Sequence, residues 1–381
     1  MNNSNISTLG GVHAVTQCTL GLISKSFATK LALTIVYVLV FVVALSGNCA
    51  IILIAKTKRR IRKVAFNYFI ISMAVADIMD ALVAVPMTVL NIYMSNYWFE
   101  GLIGDITCKF FNFLFNISLV ASIFTLVAIS ADRYLAIVHV MRKPLSKKKV
   151  KLGVVSVWFL TAIMSLPYLI KYKFRPWKNG QYFCYGTWSD DFGKNLYFYK
   201  YEVTARLLFF YILPLFVIAV LYSFIIQVLK KRQAFGENMS QLRIQQQNVT
   251  VIKMLVTVVL LFAFSWLPAH VVSIMFAFAP EKIKCWPISL LYTLLVPGHA
   301  NGAVNPCIYL IFNENYRKGL RRLLVRCQRK AGDRIPTWKI KQWPTSSTLE
   351  RDPSRGGIKG VFRQLSKEKS TETDEVFVTR L

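Results

Sequence analysis

The stretch Leu119-Val120-Ala121-Ser122-Ile123-Phe124-Thr125-Leu126-Val127-Ala128-Ile129-Ser130-Ala131-Asp132-Arg133-Tyr134 is apolar apart from three hydroxyl side chains, until Asp132 and Arg133 end it. Ionisable groups beside lipid are costly and usually functional, so this cluster reads as a switch at a membrane boundary. It closes the third of seven long apolar segments, at roughly 30–55, 66–94, 108–138, 151–171, 201–229, 250–278 and 287–311. Each is longer than the ~20 apolar residues an α-helix needs to cross ~30 Å of hydrocarbon. Leu31 to Ala55 is apolar almost all round, apart from Thr34, Ser46, Asn48 and Cys49. A soluble helix would carry only one apolar stripe. The expected fold is an all-α membrane protein, a seven-helix bundle over 30–311. A tail over 1–29 precedes it, and a short amphipathic eighth helix over 312–327 and a disordered tail over 328–381 follow.

Composition agrees, with 55% hydrophobic and 17% charged residues. Mean hydropathy is +0.44. The 381 residues leave no room for a second globular domain beside such a bundle. A net charge of +29 raises the question of nucleic acid, but its distribution answers no. Lys56, Lys58, Arg59, Arg60, Arg62 and Lys63 follow the first span, and Arg142, Lys143, Lys147, Lys148, Lys149 and Lys151 lie between the third and fourth. The loop 95–107 has no Lys or Arg, so the positive-inside rule places the N-terminus outside the cell and the C-terminus in the cytoplasm. Residues 1–29 hold no signal-peptide run, so the first span is expected to serve as its own insertion signal. The sequons at Asn2 and Asn5 are then on the sugar-accepting side of a plasma-membrane protein.

Asp77 sits near the middle of the second span, where a charge costs roughly 2.5–3.5 kcal/mol on insertion scales. Asn48, Ser118, Ser122, Asn301 and Asn305 lie at comparable depth on other spans. Their oxygens suit a hard monovalent cation such as sodium. The same residues also suit a hydrogen-bonded network around a protonated Asp77, and the sequence leaves both open. Pro86, Pro167, Pro214, Pro268 and Pro306 fall inside spans two, four, five, six and seven, where each removes a helix hydrogen bond and favours a kink.

Taken in order, several motifs resemble those of rhodopsin-like (class A) G protein-coupled receptors. They are Gly47-Asn48, Ala74-Val75-Ala76-Asp77, Asp132-Arg133-Tyr134, Trp158, Pro214 with Tyr222, Phe262 with Ser265-Trp266-Leu267-Pro268, and Asn305-Pro306-Cys307-Ile308-Tyr309. The resemblance covers about 30–327. It implies a receptor that is not itself an enzyme and acts on a heterotrimeric G protein. Arg133 would pair with Asp132 at rest and be released toward Tyr222, Tyr309 and the G protein. Phe262, Trp266, Pro268, Asn305 and Pro306 would relay ligand contact to a sixth helix that swings outward. Arrestin and receptor kinases would be further partners.

Cys108 and Cys184 both fall on the oxidising side and are expected to bond. Cys18 and Cys285 share that side and either pair or stay free. Between them, Lys171-Tyr172-Lys173-Phe174-Arg175, the Asn179-Gly180 turn signal and Gln181-Tyr182-Phe183-Cys184-Tyr185 spell a β-hairpin. The family resemblance associates such hairpins, and the Trp98-Phe99 pair before Gly101, with neuropeptide receptors of the neuropeptide Y, neuropeptide FF and orexin group. Phe115 stands where monoamine receptors carry an aspartate, and His299 where opsins carry the Schiff-base lysine, so neither ligand class fits.

The candidate ligand-binding set is Arg206, Glu202, Phe115, His270, His299 and Trp98. Arg206, two turns from Pro214, reads either as an anchor for an acidic group or as an i,i+4 partner of Glu202. The rival functions are a receptor for a small anionic metabolite or lipid, and a transporter or channel; no repeated halves favour the latter. Phe312, Tyr316, Leu320, Leu323 and Leu324 interleave with Arg317, Lys318, Arg321, Arg322 and Arg326 as in an interfacial helix, with Cys327 as a palmitoylation candidate. The terminal Thr379-Arg380-Leu381 fits strand addition to a PDZ domain.

Overall fold

The computed structural model describes residues 26–57, 65–94, 97–139, 145–176, 180–234, 239–283 and 286–332. Asn2, Asn5, Cys18, Cys285 and the Thr379-Arg380-Leu381 terminus lie outside them. Two compact units divide the chain, Met1–Leu320 and Arg321–Leu381. In the second unit the described residues are the end of one helix.

The first unit is built from α1 (Phe27–Thr57), α2 (Asn67–Met94), α3 (Gly101–Val138), α4 (Lys147–Ser165), α5 (Pro167–Lys171), α6 (Phe192–Leu207), α7 (Leu213–Ala234), α8 (Met239–Phe278), α9 (Pro280–Ile283) and α10 (Ile288–Phe312). Six stretches of the described residues are long and apolar enough to cross a membrane, ending with Gln245–Phe278. The seventh expected span, α10, has 25 residues and no charged side chain. It falls short on apolarity, because His299, Asn301 and Asn305 dilute it and turn a polar face into the protein, where all three are buried. Helices α3, α6 and α8, at Gly101, Phe192 and Met239, start well before the apolar spans that hydropathy indicated, and α1 and α4 slightly before. Helices propagate past the edge of the hydrocarbon layer, where the apolar signal stops but the hydrogen-bond ladder does not.

Local chemistry sets the breaks. The Asp191 carboxylate accepts from Lys194 N at 2.7 Å and caps α6. Pro167 opens α5 at its first position and divides the fourth span at Leu166. Between α6 and α7 the chain widens into a π turn, Leu208–Ile212, just before Pro214, whose ring leaves no room for a regular turn behind it.

Polar ties join the helices where apolar contact alone gives no register in lipid. Trp158 Nε1 donates to Ser72 Oγ at 2.9 Å, Asn116 Nδ2 to Ser165 Oγ at 2.9 Å, Tyr37 Oη to Tyr292 O at 2.8 Å, and Asn48 Nδ2 to Gly302 O at 2.9 Å. These link α2 with α4, α3 with α4, and α1 twice with α10.

At one end stands a three-stranded antiparallel sheet in the order β1 (Tyr97–Trp98), β3 (Tyr182–Gly186), β2 (Tyr172–Pro176). The expected hairpin is β2 and β3, with Phe174 opposite Cys184. Gly180 has a φ of 72°, a conformation that favours glycine. The added strand β1 pairs Tyr97 with Phe183 and was not apparent from two residues of sequence. Cys184 is disulfide-bonded to Cys108 of α3, which fastens the sheet to the bundle.

The close approach of α1 to α10 rests on Gly47, where an added Cβ would lie 2.9 Å from Pro306 Cβ. Gly47→Ala is expected to destabilise, since overpacking costs about 1–3 kcal/mol and outweighs about 1 kcal/mol of gained helix propensity. Gly153→Ala, whose Cβ would meet Phe69 Cζ at a comfortable 3.8 Å, is expected to be neutral or mildly stabilising. Thermal unfolding of the two purified variants checks both.

Candidate functional site

The end of α3 opposite the sheet carries the Asp132-Arg133-Tyr134 cluster. Arg133 Nε and Nη2 donate to Asp132 Oδ2 at 3.0 and 2.5 Å, and the guanidinium lies 4.4 Å from the centre of the Phe66 ring. Asp132 is buried and Arg133 half-buried, so the pair is partly desolvated. Tyr134 packs edge-on against His139 and Phe224. The Tyr222 hydroxyl is buried beside Ser130 without a hydrogen bond of good geometry, and Ser130 Oγ donates to Leu126 O. Tyr309 Oη donates to Met73 Sδ at 3.3 Å. Neither tyrosine hydrogen-bonds to Arg133.

Two further hydrogen bonds tie this end together. Arg232 Nη2 of α7 donates to Ile137 O of α3 at 2.9 Å, and Gln245 Nε2 of α8 donates to Leu229 O at 3.1 Å.

Midway along the bundle, Asp77 Oδ2 accepts from Asn305 Nδ2 at 3.0 Å. Gly302 lets α10 close over Asp77, since a Cβ there would sit 3.2 Å from Asp77 Cβ. Asn48, Asn301 and Asn305 each bury a side-chain oxygen with no hydrogen bond. Ser118 Oγ donates to Phe115 O at 2.7 Å, and Ser122 is buried nearby on the same helix. Among the described residues no three His, Cys, Asp or Glu side chains converge as metal ligands. The set is one carboxylate among amide and hydroxyl oxygens. Unpaired buried acceptors of this kind suit a hard cation with water, not a transition metal.

Above this level the rings of Tyr37, Phe115 and Trp266 surround His299, with centroid separations of 5.9, 5.9 and 6.1 Å. Gly298 gives Trp266 its place, because a Cβ would approach the indole to 3.0 Å. Phe262 is buried one turn along α8. Three expected residues, Phe115, Trp266 and His299, therefore form one cluster. It has a member that was not expected: Asp80, whose Oδ2 lies 3.6 Å from His299 Nδ1. Asp80 stands three residues from Asp77 on the same helix face, a spacing visible in the sequence.

Nearest the sheet lies a cluster of charge, Lys171, Glu202 and Arg206. Glu202 Oε1 accepts from Tyr168 Oη at 2.9 Å and Lys171 Nζ at 2.7 Å; Oε2 accepts from Lys171 Nζ at 2.6 Å and Trp188 Nε1 at 2.8 Å. The Lys171 ammonium lies 5.4–5.8 Å from the ring centres of Tyr168, Tyr172, Trp188 and Tyr199. Burial pushes the Tyr172 phenol up to about 12, against the opposing pull of Arg206, so it stays neutral and adds no countercharge. Arg206 Nη1 is 3.8 Å from Glu202 Oε1, too long for a hydrogen bond. His270 lies within the electrostatic reach of Arg206 and packs on Tyr211 at 4.4 Å. Trp98, also in the expected ligand set, donates from Nε1 to Thr107 Oγ1 at 2.9 Å, and its buried ring packs on Phe99 and Phe111.

After α10, α11 (Glu314–Gly332) begins with Tyr316 buried and its hydroxyl 3.1 Å from Asn67 Oδ1. Gly319 packs so closely that a Cβ would lie 2.5 Å from Ile54 Cγ2. Cys327 falls within this helix.

Comparison with known proteins gives the same frame. The pattern of the family "7 transmembrane receptor (rhodopsin family)" matches residues 47–309, more than half of the chain. The chain is 31% identical over 297 residues to galanin receptor type 1 of Homo sapiens, covering 76% of this chain and 80% of that protein. It is 32% identical over 303 residues to neuromedin-U receptor 2 of Mus musculus, 77% of this chain and 75% of that one. With the RYamide receptor of Drosophila melanogaster it shares 29% over 346 residues, 84% and 72% of the two chains.

Lys171 and Glu202, with 8% and 9% of their side chains exposed, form a buried ion pair. Glu202→Gln is expected to cost roughly 3–5 kcal/mol of stability by stranding the ammonium. The double change Lys171→Met, Glu202→Gln should recover a large part of that loss. Thermal unfolding of the single and double variants is the measurement; additive losses would contradict it.

Proposed function

The chain belongs to the rhodopsin family of seven-transmembrane receptors, and on that premise we propose that it is a plasma-membrane receptor for an extracellular peptide that signals through a heterotrimeric G protein. The sheet end faces outward and the Asp132-Arg133-Tyr134 end faces the cytoplasm, as the placement of the basic loops argues. The observation that carries the peptide reading is the three-stranded sheet β1-β3-β2, fastened to α3 through Cys108–Cys184 and rooted at Lys171–Glu202. Such a sheet offers a firm rim for an extended ligand. The likeness to galanin, neuromedin-U and RYamide receptors supports the same class.

Mechanistically, a ligand acts by binding one arrangement of the bundle better than another. Contact at Arg206, His270 and Phe115 reaches Trp266 through the His299 cluster, and Trp266 and Pro268 sit on α8. Motion of α8 breaks the Gln245–Leu229 tie and opens the end where Arg133 awaits the G protein. A sodium ion at Asp77, Asn301, Asn305, Ser118 and Ser122 would neutralise the carboxylate and favour the closed bundle. Arrestin, receptor kinases, a PDZ partner at Thr379-Arg380-Leu381, palmitoylation at Cys327 and glycosylation at Asn2 and Asn5 complete the proposal.

A peptide-library screen in cells, with calcium and cyclic AMP readouts, tests the ligand class; activation only by non-peptide metabolites would sink it. With the agonist found, Arg133→Ala is expected to bind it normally and lose most G protein activation at matched surface level. Sodium should weaken agonist affinity relative to potassium, and Asp77→Asn should remove the difference. Identical agonist curves in the two salts would refute the ion site.

A further inference from the structure

The sequence allowed Arg206 two roles, and the surroundings of Glu202 separate them. A carboxylate offers about four lone-pair sites. All four hydrogen bonds that Glu202 accepts come from Tyr168, Lys171 and Trp188. The acid that α6 carries one turn before Arg206 is therefore committed to Lys171, and its charge is already balanced.

A guanidinium has five N–H donors. Among the described residues those of Arg206 make no hydrogen bond, and the nearest carboxylate oxygen is 3.8 Å away. Its surroundings are Tyr168, Glu202, Tyr172, Tyr199 and His270, contributed by α5, α6, β2 and α8, so it sits inside the bundle mouth and not against lipid. A third of its side chain, 34%, remains reachable. Three other acids at this end are engaged elsewhere: Asp105 with Lys109 at 2.7 Å, Asp190 with Arg175 at 2.8 Å, and Asp191 in capping α6. Lys171, Glu202 and Arg206 together carry one net positive charge.

We propose that Arg206 is the docking point for a carboxylate of the ligand, and that Lys171 frees it for this role by occupying Glu202. This rests on the peptide-receptor reading and narrows it to peptides with an acidic group, either a free C-terminus or an Asp or Glu side chain. The planar fork takes a carboxylate through two parallel hydrogen bonds, which an ammonium at the same place would not reproduce. Tyr172 and Tyr199 lie within its electrostatic reach, and their rings line the neighbouring Lys171, so an acid next to an apolar or aromatic residue fits best.

The test does not need the natural ligand. Purified full-length receptor is titrated with N-acetylphenylalanine and with N-acetylphenylalaninamide, which share size and differ in charge, while thermal midpoints are followed. A third probe, N-acetylglutamyl-phenylalaninamide, carries its acid on a side chain. The acid probes are expected to bind wild type at least about tenfold more tightly than the amide, and this ratio should fall to about one in Arg206→Gln. Arg206→Lys, which keeps the charge without the fork, should retain only part of the preference and covers the case in which Arg206→Gln does not fold. The terminal-acid and side-chain-acid probes then tell which carboxylate is taken.

Equal stabilisation by acid and amide, an acid preference that survives in Arg206→Gln, or no stabilisation by any probe at concentrations that saturate weak sites would each overturn the proposal. If the acid preference is present and the peptide library nevertheless yields no agonist, the anchor stands and the peptide reading falls.

Discussion

The hydrocarbon layer supplies no hydrogen bonds, and from that constraint most of this structure follows. Each backbone amide inside it must be satisfied by its own helix, so the chain can cross only as helices. Each polar side chain must find a partner in its own helix or another, or stand over a water-filled space. The buried polar residues accordingly lie along the contacts between helices: Asn48 bonds to Gly302, Ser72 takes Trp158, Asn116 takes Ser165, and Asp77 takes Asn305. Apolar side chains alone would let these helices slide, because lipid is as good a solvent for leucine as another helix is.

The same constraint separates polar groups that hold the fold from those that act. Lys171 and Glu202 illustrate the first kind, with all oxygens of the acid engaged and an aromatic wall on the ammonium. The oxygens of Asn301 and Asn305 and the Tyr222 hydroxyl, buried without a hydrogen bond, are the candidates proposed above for the second, together with the partly exposed Arg206. Unsatisfied groups in a dry interior cost free energy in the conformation seen. They therefore mark places where water or another partner can supply the missing contact. These places occur at three levels: the mouth beside the sheet, the middle near Asp77, and the end near Arg133. His299 and Trp266 stand between the first two, so packed rings connect the mouth with the middle of the bundle.

Composition and spacing alone determined much about this protein. The long helices, the hairpin and the Cys108–Cys184 bond were legible because lipid imposes long apolar runs, and because turn residues act locally. Hydropathy stopped where the lipid stops, so the early starts of α3, α6 and α8 were not readable from it. The polar face of α10 was partly hidden for a related reason: its His and Asn residues are apolar-compatible only once other helices cover them. What only the tertiary structure decided was partnership. Glu202 and Arg206 are one turn apart and form an ion pair at 3.8 Å, but Lys171 arrives from the end of the fourth span and donates hydrogen bonds to both carboxylate oxygens. Asp80 meets His299, and Trp98 holds Thr107, for the same physical reason. Which acceptor a donor reaches depends on distances of a few ångströms between segments far apart in the chain, and spacing along one helix carries no record of them.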